Sequence, residues 1–225
     1  MRLPFTPYGL REILLYGGVS AAAVAGLLVL GSPWHFLVPV PALVLVFVLS
    51  FFRDPARRVP AEAGAVVSPA DGRVVAITDV PQEEFIGGPA TRIDIFLAVY
   101  NVHVNRAPLA GEVRYIEDRQ GVLINAMKLE AGERNHARCV GLVTDDGGFP
   151  VLVRQIVGAI ARRIVTAVRP GDRLAKGQRF GMLKFGSRTQ LSIPKSVPFA
   201  VWVKVGDRVR GGATVLGTVR PGEPV

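Results

Sequence analysis

Cysteine, histidine and acidic side chains are all scarce in this 225-residue chain, and each shortage removes a class of chemistry. The single cysteine, Cys139, cannot form an intrachain disulfide, which fits a reducing compartment. The three histidines, His35, His103 and His136, are scattered, and neither an HExxH nor a CxxC spacing occurs, so no metal site is expected. Asp and Glu number 18 against 27 Lys and Arg, leaving a net charge of +9. No basic run, zinc-ligand pattern or aromatic RNA-binding motif accompanies that excess, so nucleic acid is not the expected partner. An anionic membrane surface suits it better, because each basic residue near such a surface contributes about 1 kcal/mol.

Charge is almost missing from residues 1–52, where only Arg2, Arg11 and Glu12 carry any. Residues 13–30 form one uncharged run, and residues 35–52 form a second after Gly31-Ser32-Pro33-Trp34. At 1.5 Å per helical residue each run covers about 27 Å, close to the hydrocarbon thickness of a bilayer. Two apolar helices joined by four residues are expected to form a membrane hairpin over 1–52 with both ends on one side. Pro39 and Pro41 leave room for a re-entrant hairpin as well as a full span. Arg2 and Arg11 precede the runs and Arg53, Arg57 and Arg58 follow them, so that side is expected to be cytoplasmic, at the cell membrane. A linker is expected over 53–66 and a second domain over 67–225.

That domain reads as β-dominated, within an α+β class. Short β-branched runs at 73–78, 91–98, 111–116, 150–157, 199–205 and 213–219 are separated by Gly, Pro and Asp. Residues 158–168 fit a short helix or another strand. Two internal echoes sharpen the reading. Val168-Arg-Pro-Gly-Asp-Arg-Leu-Ala-Lys-Gly177 recurs as Val203-Lys-Val-Gly-Asp-Arg-Val-Arg-Gly-Gly212, and Ser68-Pro-Ala-Asp-Gly-Arg-Val74 recurs as Ala107-Pro-Leu-Ala-Gly-Glu-Val113. Gly-Asp pairs favour tight turns. Together these features describe a barrel-sandwich-like fold, of the kind found in biotinyl and lipoyl carrier domains.

The stretch Arg179-Phe-Gly-Met-Leu-Lys-Phe-Gly-Ser-Arg-Thr-Gln-Leu191, followed by Leu191-Ser-Ile-Pro194, is the most specific in the chain. With it come Phe52-Arg-Asp-Pro55, Ser68-Pro-Ala-Asp-Gly72, Val102-His-Val-Asn-Arg-Ala-Pro108, Glu133-Arg-Asn135 and Gln155-Ile-Val-Gly-Ala-Ile-Ala-Arg-Arg163. In that order, over about residues 50–220, the chain resembles the phosphatidylserine decarboxylases of the short bacterial and archaeal type.

The resemblance implies a proenzyme that cuts itself between Gly186 and Ser187. Ser187 would attack the Gly186 carbonyl, and β-elimination would then separate a β chain, 1–186, from an α chain, 187–225. The α chain would begin with a pyruvoyl cofactor derived from Ser187. That group would capture the amine of phosphatidylserine as a Schiff base and release CO2, leaving phosphatidylethanolamine, a step of phospholipid biosynthesis. The resemblance also nominates His103 as base, with Asp71 as its partner, in an Asp-His-Ser set. His103 is the candidate for protonating the product carbanion too. Larger members carry His-x-x-His where this chain has His103-Val-Asn-Arg106, so one histidine is left for both steps. Arg106, Lys184, Arg138 and Arg162 are the basic residues expected to be eligible for the lipid phosphate.

Two rivals remain at this point. Ala126-Met-Lys-Leu-Glu130 resembles a biotin-accepting turn, which would make the chain a carrier modified at Lys128. Both Gly-Asp turns follow Lys128, however, whereas in carriers such a turn comes before the lysine. The second rival is an inactive membrane scaffold. Neither a homo-oligomer nor a monomer is excluded by the sequence.

Overall fold

In the computed structural model the described residues are 4–128, 130–158, 163–184 and 187–220. The chain divides into two compact units, Met1–Ala56 and Arg57–Val225.

The first unit is a pair of apolar helices, α1 (Pro7–Leu30) and α2 (Trp34–Phe51), each long and apolar enough to cross a membrane. Large side chains such as Leu14, Val29, Phe36 and Leu43 are exposed along them, as an apolar solvent rather than water would favour. The hairpin is closed at its open end. Thr6 N–H donates to the Phe52 carbonyl at 2.9 Å, and Asp54 N–H donates to the Pro4 carbonyl at 2.6 Å. The two ends of the hairpin therefore lie together.

Among the described residues the second unit contains fourteen strands. The first seven are β1 (Ala65–Val67), β2 (Gly72–Glu83), β3 (Gly88–Leu97), β4 (Val104–Arg106), β5 (Gly111–Arg119), β6 (Ala137–Thr144) and β7 (Pro150–Val157). The others are β8 (Arg163–Thr166), β9 (Arg173–Leu174), β10 (Arg179–Lys184), β11 (Ser187–Pro194), β12 (Phe199–Val201), β13 (Arg208–Val209) and β14 (Val215–Val219). One eight-stranded antiparallel sheet has the order β13-β2-β3-β11-β7-β6-β5-β9, and two three-stranded sheets, β1-β14-β12 and β4-β10-β8, accompany it. Part of residues 158–168, open between helix and strand by sequence, is the strand β8.

The two sequence echoes dock on one another, and that is what shapes the sheet. The Gly-Asp turn at 171–172 leads into β9, which pairs with β5, and the turn at 206–207 leads into β13, which pairs with β2. Arg169 N–H and Lys204 N–H each donate to the aspartate three residues on, at 2.9 Å in both copies. Gly171 N–H donates to the Val113 carbonyl and Gly206 N–H to the Val74 carbonyl, both at 2.8 Å. Gly171 and Gly206 take φ of 97° and 101°, which only glycine adopts without strain. The repeats thus occupy the two ends of the eight-stranded sheet. Between them, Ile93, Ile95, Leu97, Val140, Leu142, Val151, Val153, Leu191 and Ile193 form the core.

Gly72 and Gly111 hold equivalent places in the two copies, each facing a neighbouring backbone. A Cβ on Gly72 would overlap the Phe96 carbonyl oxygen, and one on Gly111 would overlap that of Val143. Gly111→Ala is expected to destabilise the fold by about 1–3 kcal/mol. In thermal unfolding of the detergent-solubilised protein this should read as a loss of about 2–4 °C per kcal/mol. An unchanged Tm would mean the two strands can separate without cost.

Candidate active site

Ser187 is the first residue of β11, with β3 on one side and β7 on the other, opposite Leu97 and Val157 respectively. It is fully buried, and its Oγ has no hydrogen-bond partner among the described residues. A buried hydroxyl left in that state costs on the order of 1–3 kcal/mol, so the sequence retains it against stability. Gly186, the residue expected before the scissile bond, lies outside the described residues, as does Arg162. Only Phe185 and Gly186 separate β10, in the small sheet, from β11, in the large one.

His103 stands beside the end of β10. Its carbonyl accepts from Leu183 N–H at 3.0 Å, and Val104 pairs with Met182. The ring is buried, and its Nδ1 lies 2.9 Å from the Asn101 carbonyl. A carbonyl only accepts, so this contact places the proton on Nδ1 and leaves the Nε2 lone pair of the neutral ring as the basic site.

Asp71 closes the turn before β2. Both carboxylate oxygens are engaged, one by Arg57 at 2.7 Å and the other by Gly211 N–H at 2.7 Å. The hydrogen bonds described for Asp71 and for His103 therefore lead to different partners. Their backbones are nevertheless stitched together, because Arg106 N–H donates to the Pro69 carbonyl at 2.9 Å.

Asp71 lines a cleft of about 820 Å3, together with Arg73, Val75, Phe96, Ala98, Tyr100, Asn101, Met127, Arg208 and Arg210. Phe96 and Ala98 flank Leu97, the partner of Ser187, and Asn101 holds the His103 ring. The cleft therefore reaches Asp71 and the Asn101 that holds the His103 ring, while its Phe96 and Ala98 walls lie on the face of β3 opposite to that of Leu97 and Ser187, and it has the size of a ligand site.

Of the basic residues expected to be eligible for the phosphate, Arg106, Arg138 and Lys184 do not line this cleft. Arg106 is buried and donates to the Gly177 carbonyl at 3.1 Å, with its stem against Gly212. Arg138 lies beside Asp118, 3.8 Å away, and Lys184 is buried at the end of β10. Lys128 is exposed, with Glu130 3.8 Å away, on the long connection between β5 and β6. Sequence reasoning passed over Arg57 as the partner of Asp71, Asn101 as the partner of His103, and the cleft-lining Arg73, Arg208 and Arg210. A carbonyl contact has no sequence signal, and the arginines meet only through strand pairing.

Two polar networks frame Ser187. On its own side of the sheet, Thr166 Oγ1 donates to Gln155 Oε1, Gln155 Nε2 to Asn105 Oδ1, and Asn105 Nδ2 to Thr189 Oγ1, at 2.8–3.0 Å. On the other side, the fully buried Arg188 bonds Asp94 at 3.0 Å and the carbonyls of Ala126 and Met127, each also at 3.0 Å. Burial raises the Asp94 carboxyl against the opposing pull of Arg188, and burial lowers the Arg188 guanidinium. Desolvation outweighs attraction on both partners, so the pair fixes geometry more than it adds stability. One possible ligand cluster, Glu84, Glu117 and Cys139, occurs among the described residues. Arg119 already bridges its carboxylates, and burial pushes the Cys139 thiol up, away from the thiolate.

Comparison with known proteins decides the family. The family model for phosphatidylserine decarboxylase matches residues 44–217. The chain belongs to the phosphatidylserine decarboxylase family. That makes it a decarboxylase, and its relatives are named as proenzymes. It is similar to the phosphatidylserine decarboxylase proenzyme of Symbiobacterium thermophilum, with 48% identity over 88% of this chain and 91% of the relative. The proenzyme of Carboxydothermus hydrogenoformans is 44% identical over 88% of this chain and 92% of the relative. That of Rhodopirellula baltica is 42% identical over 98% and 90%.

The Arg188–Asp94 pair offers a test of the site's framing. Arg188→Met leaves the Asp94 carboxylate buried with much of its compensation gone, and is expected to cost about 3–5 kcal/mol. Asp94→Leu combined with Arg188→Met should recover part of the lost Tm. Recovery of nothing would mean that Arg188 acts through the Ala126 and Met127 carbonyls alone.

Proposed function

We propose that this enzyme decarboxylates phosphatidylserine to phosphatidylethanolamine and CO2, using a pyruvoyl group made from its own Ser187. The observation that carries the reading is the buried Ser187 hydroxyl, unpartnered among the described residues, at the start of an interior strand. A side chain kept buried and unsatisfied fits a group meant to be consumed. The relatives' designation as phosphatidylserine decarboxylase proenzymes supports both the substrate and the self-processing.

In self-cleavage, Ser187 Oγ gives its proton to His103 Nε2 and attacks the Gly186 carbonyl carbon. The peptide C–N bond breaks as the ester C–O bond forms, and the Ser187 nitrogen takes up the proton. Loss of the Ser187 α-proton then expels the Gly186 carboxylate and leaves dehydroalanine. Water replaces the nitrogen, released as ammonia, and the carbonyl so formed heads a chain of residues 187–225. The Asn101 carbonyl keeps the imidazole in the tautomer this requires. Asp71, held by Arg57 and Gly211, fixes the turn that lies against the segment following His103.

Once formed, the pyruvoyl group supplies an electrophilic carbonyl for the substrate amine and a sink for the electron pair as CO2 leaves. His103 Nε2 returns a proton to the carbon that lost CO2. Burial of this region excludes water that would compete for that proton. The hairpin α1–α2 anchors the enzyme in the membrane. The arginines that flank it in sequence support a catalytic unit on the cytoplasmic side.

The full-length protein, in mixed micelles containing phosphatidylserine, is expected to release CO2 and yield phosphatidylethanolamine. His103→Gln should slow both self-cleavage and turnover by about 10²–10⁴-fold, the contribution of a positioned acid–base group. A wild-type chain that leaves phosphatidylserine unchanged would overturn the reading.

A further inference from the structure

Arg73 and Arg208 sit directly opposite one another on the β2–β13 ladder. Like charges in that position repel and weaken a sheet. Arg210 follows two residues later, and all three line the cleft that contains Asp71. They are exposed, and none is paired with a carboxylate among the described residues. Arg73 uses one donor on the Gly206 carbonyl, at 3.1 Å, and Asp71 has no oxygen to spare because Arg57 and Gly211 hold both. Elsewhere the unit pairs its arginines freely, as in Arg92 with Glu133 and Arg119 with Glu84. Three uncompensated guanidinium groups around one concavity therefore oppose folding and await an anion.

We propose that Arg73, Arg208 and Arg210 form the cradle that binds the phosphodiester of the lipid substrate. The inference rests on the proposed activity and deepens it. Guanidinium forks match phosphate oxygens two at a time, and a partly enclosed cleft strengthens such bonds. The remaining lining suits the rest of an amphiphile. Phe96, Val75, Tyr100 and Met127 give apolar wall for glycerol and the first acyl carbons. Asn101, which lines the cleft and holds the His103 ring, marks the rim over which the serine headgroup must pass to reach the catalytic residues. With the phosphate fixed on β2 and β13, the amine is carried toward the start of β11. The cradle acts on binding and orientation and leaves the proton chemistry to His103.

The test uses the full-length, self-cleaved enzyme with short-chain lipids that stay monomeric. In Arg208→Ala/Arg210→Ala, KM for dihexanoyl phosphatidylserine is expected to rise about tenfold or more, the value of losing charge-assisted hydrogen bonds. The turnover number and the extent of self-cleavage should stay near wild type, which also shows that the variant folds. Binding of the non-reacting product, dihexanoyl phosphatidylethanolamine, followed by calorimetry, should weaken by a similar factor. Arg208→Lys/Arg210→Lys should regain part of it. An unchanged KM and Kd in the alanine variant overturn the cradle. Displacement of the product lipid by equimolar inorganic phosphate would also overturn it, assigning the arginines to a free anion. Arginine-dependent binding with no turnover by the wild type would leave the cradle standing and refute the proposed reaction.

Discussion

β11 is gripped on both edges from its first residue. Ser187 faces Leu97 and Val157, and seven further residues pair continuously along β3. A strand so held cannot leave when the bond before it is cut. This constraint makes a self-processing site compatible with a stable fold, because the new chain end stays where the hydroxyl was. Arg188 adds a second hold from the other face of the sheet, through Asp94 and two loop carbonyls. Hydrophobic partners on one face and a buried ion pair on the other leave the start of this strand little freedom.

The internal repeat supplies the frame for that strand. One copy of the echo closes each end of the eight-stranded sheet, and β11 lies in its interior. The copies have nonetheless diverged in use. In the first, the aspartate at 71 and the arginines at 73, 208 and 210 face a large cleft. In the second, the equivalent positions carry Ala110 and Glu112, and Glu112 lies across the ladder from Arg173. Opposite charges face each other there, as ordinary sheet stability favours. Breaking that rule in one copy alone marks the end of the sheet where a ligand binds.

Much of the architecture was legible because it is periodic or repeated. Charge-free runs at 13–30 and 35–52 announce helices observed at Pro7–Leu30 and Trp34–Phe51. The echoed Gly-Asp turns announce two equivalent strand pairs. β11 is not among the β-branched runs, because Ser187, Arg188, Thr189, Gln190 and Ser192 are polar. Its polar outer residues are buried by Glu83, Asp94, Arg154 and the connection after β5, long-range contacts that local pattern does not encode. Arg106, at the place where larger relatives carry a second histidine, was eligible for the phosphate as a guanidinium that can bind it in a bidentate way. Its side chain instead runs inward to Gly177, while arginines about 135 residues apart converge through one short ladder.

The proposed chemistry depends on the fate of the bond before Ser187. Intact-mass analysis of the purified full-length protein, beside Ser187→Ala, examines it directly. The wild type is expected as two pieces, divided after Gly186. The smaller should lack a free N-terminal amine and react with carbonyl reagents, and the variant should remain one chain. A folded wild type that stays whole, with the mass of an unmodified chain, would contradict it.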